Sequence, residues 1–191
     1  MHLEDKDILS IYKINKKEGL DVIVHKYKDP LYKFSLHLCK SRQEAEDLFQ
    51  DTWIKVFRNL EKYDENKNLK TWIFTICINS YKDKYRKNKR WLNIIKDYFN
   101  NDEKEKEVIN IGSEENLPEE EMVKNFEKAM LKEAVESLKE EYKLPVILYY
   151  FQELSYKDIS EVLSIPEGTI KSRLNKARKL IKEYMEGKVY G

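Results

Sequence analysis

The chain has 191 residues, with 36 Lys and Arg against 35 Asp and Glu for a formal net charge of +1, and 37% of its residues are charged. Aromatic residues make up 12%, which supplies the material for one sizeable core or two small ones and excludes an uncollapsed polar chain. No apolar run approaches the length that spans a bilayer, so no direct membrane insertion is expected.

Lys and Glu dominate, only five Gly and four Pro punctuate the chain, and no series of alternating strands is evident, so an all-α fold is expected. Over residues 17–38, Leu20, Ile23, Val24, Tyr27, Leu31, Phe34 and Leu38 recur at spacings of three and four, the stripe of a helix facing a core. Pro30 within it should kink or interrupt the helix. A second helix, about 43–60, should bury Ala45, Leu48, Phe49, Trp53, Val56, Phe57 and Leu60. On its other side Asp47, Gln50, Asp51, Ile54 and Arg58 align in a mostly acidic strip around an outward aliphatic residue. That strip is either solvated surface or a docking site in which a small apolar anchor is ringed by orienting charges.

A third helix, about 69–91, turns Leu69, Trp72, Ile73 and Ile76 inward and carries Lys82, Lys84, Arg86, Lys87, Lys89 and Arg90 in its later half. The helix dipole accounts for two or three cations there, and six within nine residues suggest phosphate contacts as well. Before it lies the polar loop Tyr63-Asp64-Glu65-Asn66-Lys67-Asn68. Aromatic and amide groups beside a basic groove suit single-stranded DNA, since an unpaired base stacks on a ring while its edge bonds to an amide. By spacing alone, Trp72 is equally well a core residue and Asn79 a surface one.

Lys and Arg outnumber Asp and Glu by 20 to 14 over residues 1–92, trail 4 to 10 over 93–124, and stand 12 to 11 over 125–191. Two small helical domains joined by a flexible acidic linker are therefore expected, the linker at 93–124. In the last domain Ser155 followed by Asp158 signals a capped helix with Ile159, Val162 and Leu163 on one face. Pro166 and Gly168 mark a turn, and Thr169 is placed to cap a second helix that runs to about residue 186. There Ile170, Leu174, Ala177 and Ile181 form a buried stripe. The outward positions are rich in Lys171, Ser172, Arg173, Asn175, Lys176, Arg178 and Lys179. Helix, Gly-containing turn and basic helix at this spacing make a helix-turn-helix whose second helix enters a DNA groove.

The first residues, Met1-His2-Leu3-Glu4-Asp5, are unlike the basic and apolar start of a secretory leader, so the cytoplasm is the expected location. Cys39 and Cys77 are isolated, which argues against a structural disulfide. His25, His37 and Cys39 lack paired ligand spacing, and no phosphate loop or nucleophile elbow is present. No metal, no cofactor and no catalytic residue are expected. Metal-dependent nuclease chemistry on Asp47 and Asp51 would need a further acid or histidine that nothing clearly supplies.

Several stretches resemble a known family. Ala45-Glu46-Asp47-Leu48-Phe49-Gln50-Asp51-Thr52, Phe57-Arg58-Asn59-Leu60 and Thr71-Trp72-Ile73-Phe74-Thr75-Ile76-Cys77-Ile78-Asn79 are similar to the second conserved domain of the bacterial sigma-70 family. Leu154-Ser155-Tyr156-Lys157-Asp158-Ile159 and Gly168-Thr169-Ile170-Lys171-Ser172-Arg173-Leu174, with Ala177-Arg178, resemble the fourth. Their order and separation are those of the small extracytoplasmic-function (ECF) sigma factors, with no room for the extra domains of housekeeping relatives.

The resemblance implies a dissociable specificity subunit of RNA polymerase. It has a sigma-2-like helical bundle at 1–92, a linker at 93–124 and a sigma-4-like helix-turn-helix domain at 125–191. Asp47, Gln50, Asp51 and Ile54 would dock on core polymerase. Tyr63, Trp72 and Asn79, with Lys82 and Arg86 on the adjacent backbone, would capture the displaced strand of the −10 promoter element. Thr169, Lys171, Ser172, Arg173, Asn175, Lys176, Arg178 and Lys179 would read the −35 element. Lys171 and Lys176 stand where many relatives carry Arg, and a lysine contacts DNA as a point charge without the guanidinium fork. An anti-sigma protein, often membrane-bound in the family, is the further partner implied. A free-standing helix-turn-helix repressor or activator is the alternative, and it leaves the acidic strip without a role.

Overall fold

The computed structural model describes the backbone of residues 4–98 and 119–189, and side chains over 4–84 and 128–187. The chain divides between residues 109 and 110 into two compact units, and every described element is helical.

The first unit holds α1 (Asp5–Ile14), α2 (Lys16–Leu38), α3 (Arg42–Asn59), a 3-10 turn (Leu60–Lys62) and α4 (Leu69–Tyr98). Its core is built from one face of each helix: Ile8 of α1, Ile23, Leu31 and Phe34 of α2, Ala45, Leu48 and Val56 of α3, and Leu69, Ile73, Phe74, Cys77 and Ile78 of α4 are at most 1% exposed. Phe34 and Phe74 meet edge to face with ring centroids 4.8 Å apart, an arrangement that adds about 0.5–1.5 kcal/mol to the burial itself. Each junction has a cap: the Asn15 side chain accepts the Glu18 amide of α2, and Ser41 accepts the Glu44 amide of α3. Gly19 sits where α1 and α2 cross, so close that a Cβ there would lie 2.2 Å from the Tyr12 Cα.

Several expectations change. Helix α1, absent from the periodicity reading, is a helix of ten residues closed by a reciprocal cap between Glu4 and Asp7. Pro30 does not interrupt α2, which runs on to Leu38. A proline removes one intrahelical N–H, and here the packing of Ile23, Tyr27, Leu31 and Phe34 on the core outweighs that loss. Phe57, expected inside, is 42% exposed beside Ile54 at 46%. Helix α4 continues past residue 91 to Tyr98, so 93–98 are helical.

The second unit holds α5 (Glu119–Ser137), α6 (Glu140–Val146), a π-helical segment (Ile147–Phe151), α7 (Tyr156–Leu163) and α8 (Glu167–Val189). Residues 119–124 are thus helical too. The core joins Ala134 of α5, Ile147 and Leu148, Ile159 and Val162 of α7, and Ile170, Leu174 and Ala177 of α8, all essentially buried, while Ile181 is only partly covered.

Helix α7 carries the full capping box: the Ser155 side chain accepts the Asp158 amide and Asp158 accepts the Ser155 amide. Its exit differs from expectation. The left-handed residue of the turn is Ser164, at φ 57 and ψ 45, while Gly168 has an ordinary helical conformation in the first turn of α8. The Ile165 amide bonds back to the Ser160 carbonyl at 3.2 Å, and the Ser160 hydroxyl donates to the Ile165 carbonyl at 2.6 Å, fixing the turn. Thr169 is not the cap of α8. The helix begins two residues earlier, with the Thr169 and Ile170 amides both bonding to the Pro166 carbonyl. Because a Cβ resists the left-handed region, Ser164→Gly should stabilise this unit by about 0.5–1 kcal/mol. A rise in its urea midpoint at unchanged slope is the check.

Candidate functional site

Three surfaces carry the residues singled out by sequence. On α3, Gln50, Asp51 and Ile54 are exposed, and Asp47 is partly so. The strip is not wholly free. Asp47 accepts a hydrogen bond from Lys84 Nζ of α4 at 3.1 Å, and that bond, then the lysine charge, then a bond from Gln43, hold its carboxyl below the usual range. The outward Phe57, one turn beyond Ile54, enlarges the apolar anchor, and its ring stacks on Trp53 with centroids 5.5 Å apart. Sequence spacing missed this because Phe57 sits at the border of the buried stripe, where the neighbouring helix no longer covers it.

On α4, Trp72, Asn79, Lys82 and Arg86 fall on one side of the helix by spacing. Trp72 is partly covered, Asn79 exposed and Lys82 partly covered, and the Arg86 side chain lies outside the described residues. Tyr63 is brought against Trp72, ring centroids 5.0 Å apart, but is itself only 8% exposed. Its hydroxyl donates to the Lys67 carbonyl within the loop. Burial, then the charges of Asp5, Asp64 and Glu65, push its pKa up to about 12. Tyr63 therefore buttresses Trp72 from below, and the indole presents the accessible part of the pair. The Asn68 side chain accepts the Thr71 amide at 3.0 Å and caps the start of this helix.

On α8, Lys171, Ser172, Asn175, Lys176, Arg178 and Lys179 project outward, opposite the buried Ile170, Leu174 and Ala177. Thr169 and Arg173 sit at the margin. Arg173 is partly covered and reaches Glu141 of α6 at 3.8 Å, a long pair at the edge of the domain. Arg178 is held in place: its Nε donates to the Tyr150 hydroxyl at 2.9 Å and its Nη1 to Asn175 Oδ1 at 2.9 Å. The bond to Tyr150, then one to Tyr156, raises the pKa of the guanidinium further. The π-helical segment supplies this support by turning Tyr150 outward beside Tyr149, and Tyr149 in turn packs against Tyr156. No sequence signal marked Tyr150, since a π-helical register breaks the usual period.

Among the described residues no three His, Cys, Asp or Glu side chains group as metal ligands would. No described helix is long and apolar enough to cross a membrane.

Comparison with known proteins places these surfaces in context. Residues 23–91 match the sigma-70 region 2 family and residues 128–181 the sigma-70 region 4 family. The chain is 30% identical over 164 residues to the ECF RNA polymerase sigma factor SigM of Bacillus subtilis, covering 85% of this chain and 93% of that one. It is 29% identical to SigW of the same organism, covering 85% and 87%. Among solved structures it resembles the sigma factor RpoE of Bartonella quintana, solved in complex with the anti-sigma factor NepR. The TM-score is 0.69 at 26% identity, over 87% of this chain and 96% of that one. The family consists of transcription initiation factors that bring no catalytic reaction of their own. With both regions matched in order along the chain and a relative 30% identical over most of its length, the chain belongs to the sigma-70 family as an ECF RNA polymerase sigma factor.

Proposed function

We propose that this sigma factor docks on core RNA polymerase through Asp47, Gln50, Asp51, Ile54 and the adjoining Phe57. In this reading Trp72, buttressed by Tyr63, stacks on a base of the displaced −10 strand, Asn79 bonds to an exposed base edge, and Lys82 and Arg86 follow the backbone. Helix α8 lies in the major groove of the −35 element, with Lys171, Ser172, Asn175, Lys176, Arg178 and Lys179 facing DNA and Thr169 and Arg173 at its margins. The corresponding division is 1–92, 93–124 and 125–191, the ends of the connector belonging to α4 and α5. The protein works in the cytoplasm and contributes binding and strand capture, not covalent chemistry. An anti-sigma protein is its regulatory partner, a reading supported by the Bartonella quintana relative, which was solved with one bound.

The observation that carries this reading is the half-covered Trp72 over the buried Tyr63 in one unit, together with the outward cationic face of α8 in the other. Two weak sites on one chain gain by effective concentration, so spacing between the promoter elements should matter.

Transcription in vitro with core polymerase on genomic promoter fragments, followed by mapping of RNA 5′ ends, tests the whole. New starts sharing two spaced upstream motifs are expected. Ile54→Asp, which places a charge at the centre of the docking anchor, should weaken core binding by about tenfold or more, with duplex binding by α8 retained. Duplex binding with no new starts would indicate a free-standing regulator instead.

A further inference from the structure

Helix α1 covers little core, burying Ile8 and Leu9, yet it and the start of α2 send three polar side chains to one short segment of distant sequence. Asp5 is the centre of this arrangement. Its Oδ1 accepts Lys26 Nζ at 2.8 Å and the Tyr27 hydroxyl at 2.6 Å, and its Oδ2 accepts the amide of Leu69, the first residue of α4, at 3.1 Å. That amide belongs to the group at a helix N-terminus with no partner inside the helix, and a carboxylate is the favoured partner there. Lys13 pairs with Glu65 at 2.7 Å and Lys16 with Glu61 at 2.5 Å. The three ties therefore enclose residues 61–69, the stretch that contains Tyr63 and ends three residues before Trp72.

The two lysine pairs are solvent-exposed and weigh little singly. Asp5 is different, being roughly half-buried. Burial alone would raise its carboxyl, but the bonds from Lys26 and Tyr27, the lysine charge and the Leu69 amide together bring its pKa below the ordinary value. It stays ionised while gripping both α2 and the first turn of α4.

We propose that α1 braces the strand-capture loop and that Asp5 is a positioning residue for promoter opening, setting the start of α4 and thereby the orientation of the Tyr63–Trp72 pair. The inference rests on the reading of Trp72 as the stacking platform. Stacking a base on a ring held in advance loses less ordering entropy than stacking on one that must first be fixed. Asp5 would not touch DNA, and its effect passes through the Leu69 amide and the loop.

The test uses holoenzyme reconstituted with the full chain, on a mapped promoter carrying 2-aminopurine in the non-template −10 strand. Asp5→Ala removes all three bonds and is expected to lower the rate of fluorescence gain about tenfold, through the loss of the charge-assisted bond to the Leu69 amide, with core affinity and −35 duplex affinity unchanged. Lys13→Glu, which turns an attraction into a repulsion, should slow it about two- to threefold, and adding Glu65→Lys should restore it. That rescue is a readout which general destabilisation would not give, and it stands even if Asp5→Ala melts the domain. Wild-type opening by the Asp5 and Lys13 variants, with Trp72→Ala defective, overturns the brace and leaves the capture site standing. Wild-type opening by Trp72→Ala as well overturns the capture reading itself.

Discussion

Trp72→Ala should slow promoter opening by the holoenzyme about 10- to 100-fold, because stacking of one base on an aromatic ring is worth about 1–3 kcal/mol. Core-polymerase affinity and −35 duplex affinity should not change, since the indole belongs to neither the α3 strip nor α8. Permanganate reactivity of unpaired thymines in the −10 element reads the effect directly. Trp72→Phe keeps a π face and should recover most of the activity, which separates stacking from mere loss of packing on Tyr63, whose ring lies 5.0 Å away. Normal permanganate reactivity in the alanine variant would remove Trp72 from the capture site.

Gly19→Ala is expected to be the most damaging single-methyl change in the first unit. Replacing a helical glycine by alanine ordinarily stabilises by about 0.5–1 kcal/mol. Here the added carbon would lie 2.2 Å from Tyr12 Cα and 2.6 Å from Tyr12 N, and the obstacle is backbone, which has no rotamer to yield. Helices α1 and α2 must separate. Overpacking of this kind costs about 1–3 kcal/mol and occasionally more, and the helical gain offsets part of it, so a net loss of about 1–2 kcal/mol and a fall in the melting temperature of the unit by roughly 5–15 °C follow. The second unit, with its own core, should keep its −35 duplex binding. A melting temperature within two or three degrees of wild type would mean that the α1–α2 crossing opens readily, and would weaken the case for α1 as a rigid brace.

Much of this architecture was legible because its signals are local. Ser155 and Asp158 announce the start of α7 within four residues, and Ile170, Leu174 and Ala177 announce the buried face of α8 by period alone. The outward position of Ile54 followed from the same arithmetic. What escaped depends on contacts distant in sequence or on departures from the regular period. Helix α1 is short, and its Glu4–Asp7 cap lacks the usual Ser or Thr. Thr169 has the right chemistry for a cap, but the chain turns at Ser164 and the helix starts earlier, so its position decides against it. Tyr63 was recognised as an aromatic near the site, and only packing reveals it as the support under Trp72. The tie from Asp5 to Leu69 joins residues 64 positions apart and has no signature in either neighbourhood.

The grip of Tyr150 and Asn175 on Arg178 alters what this arginine contributes to binding. An unanchored surface arginine samples many rotamers and surrenders that freedom on meeting DNA. This one has surrendered much of it in advance, through the bonds that Nε makes to Tyr150 and Nη1 to Asn175. In its proposed place on the −35 element it meets DNA as a preset charge and not as a search, so its advantage should lie in how long a correct complex lasts. Among the described residues of this helix the other exposed cations are lysines, and one preset arginine supplies a fixed register for them.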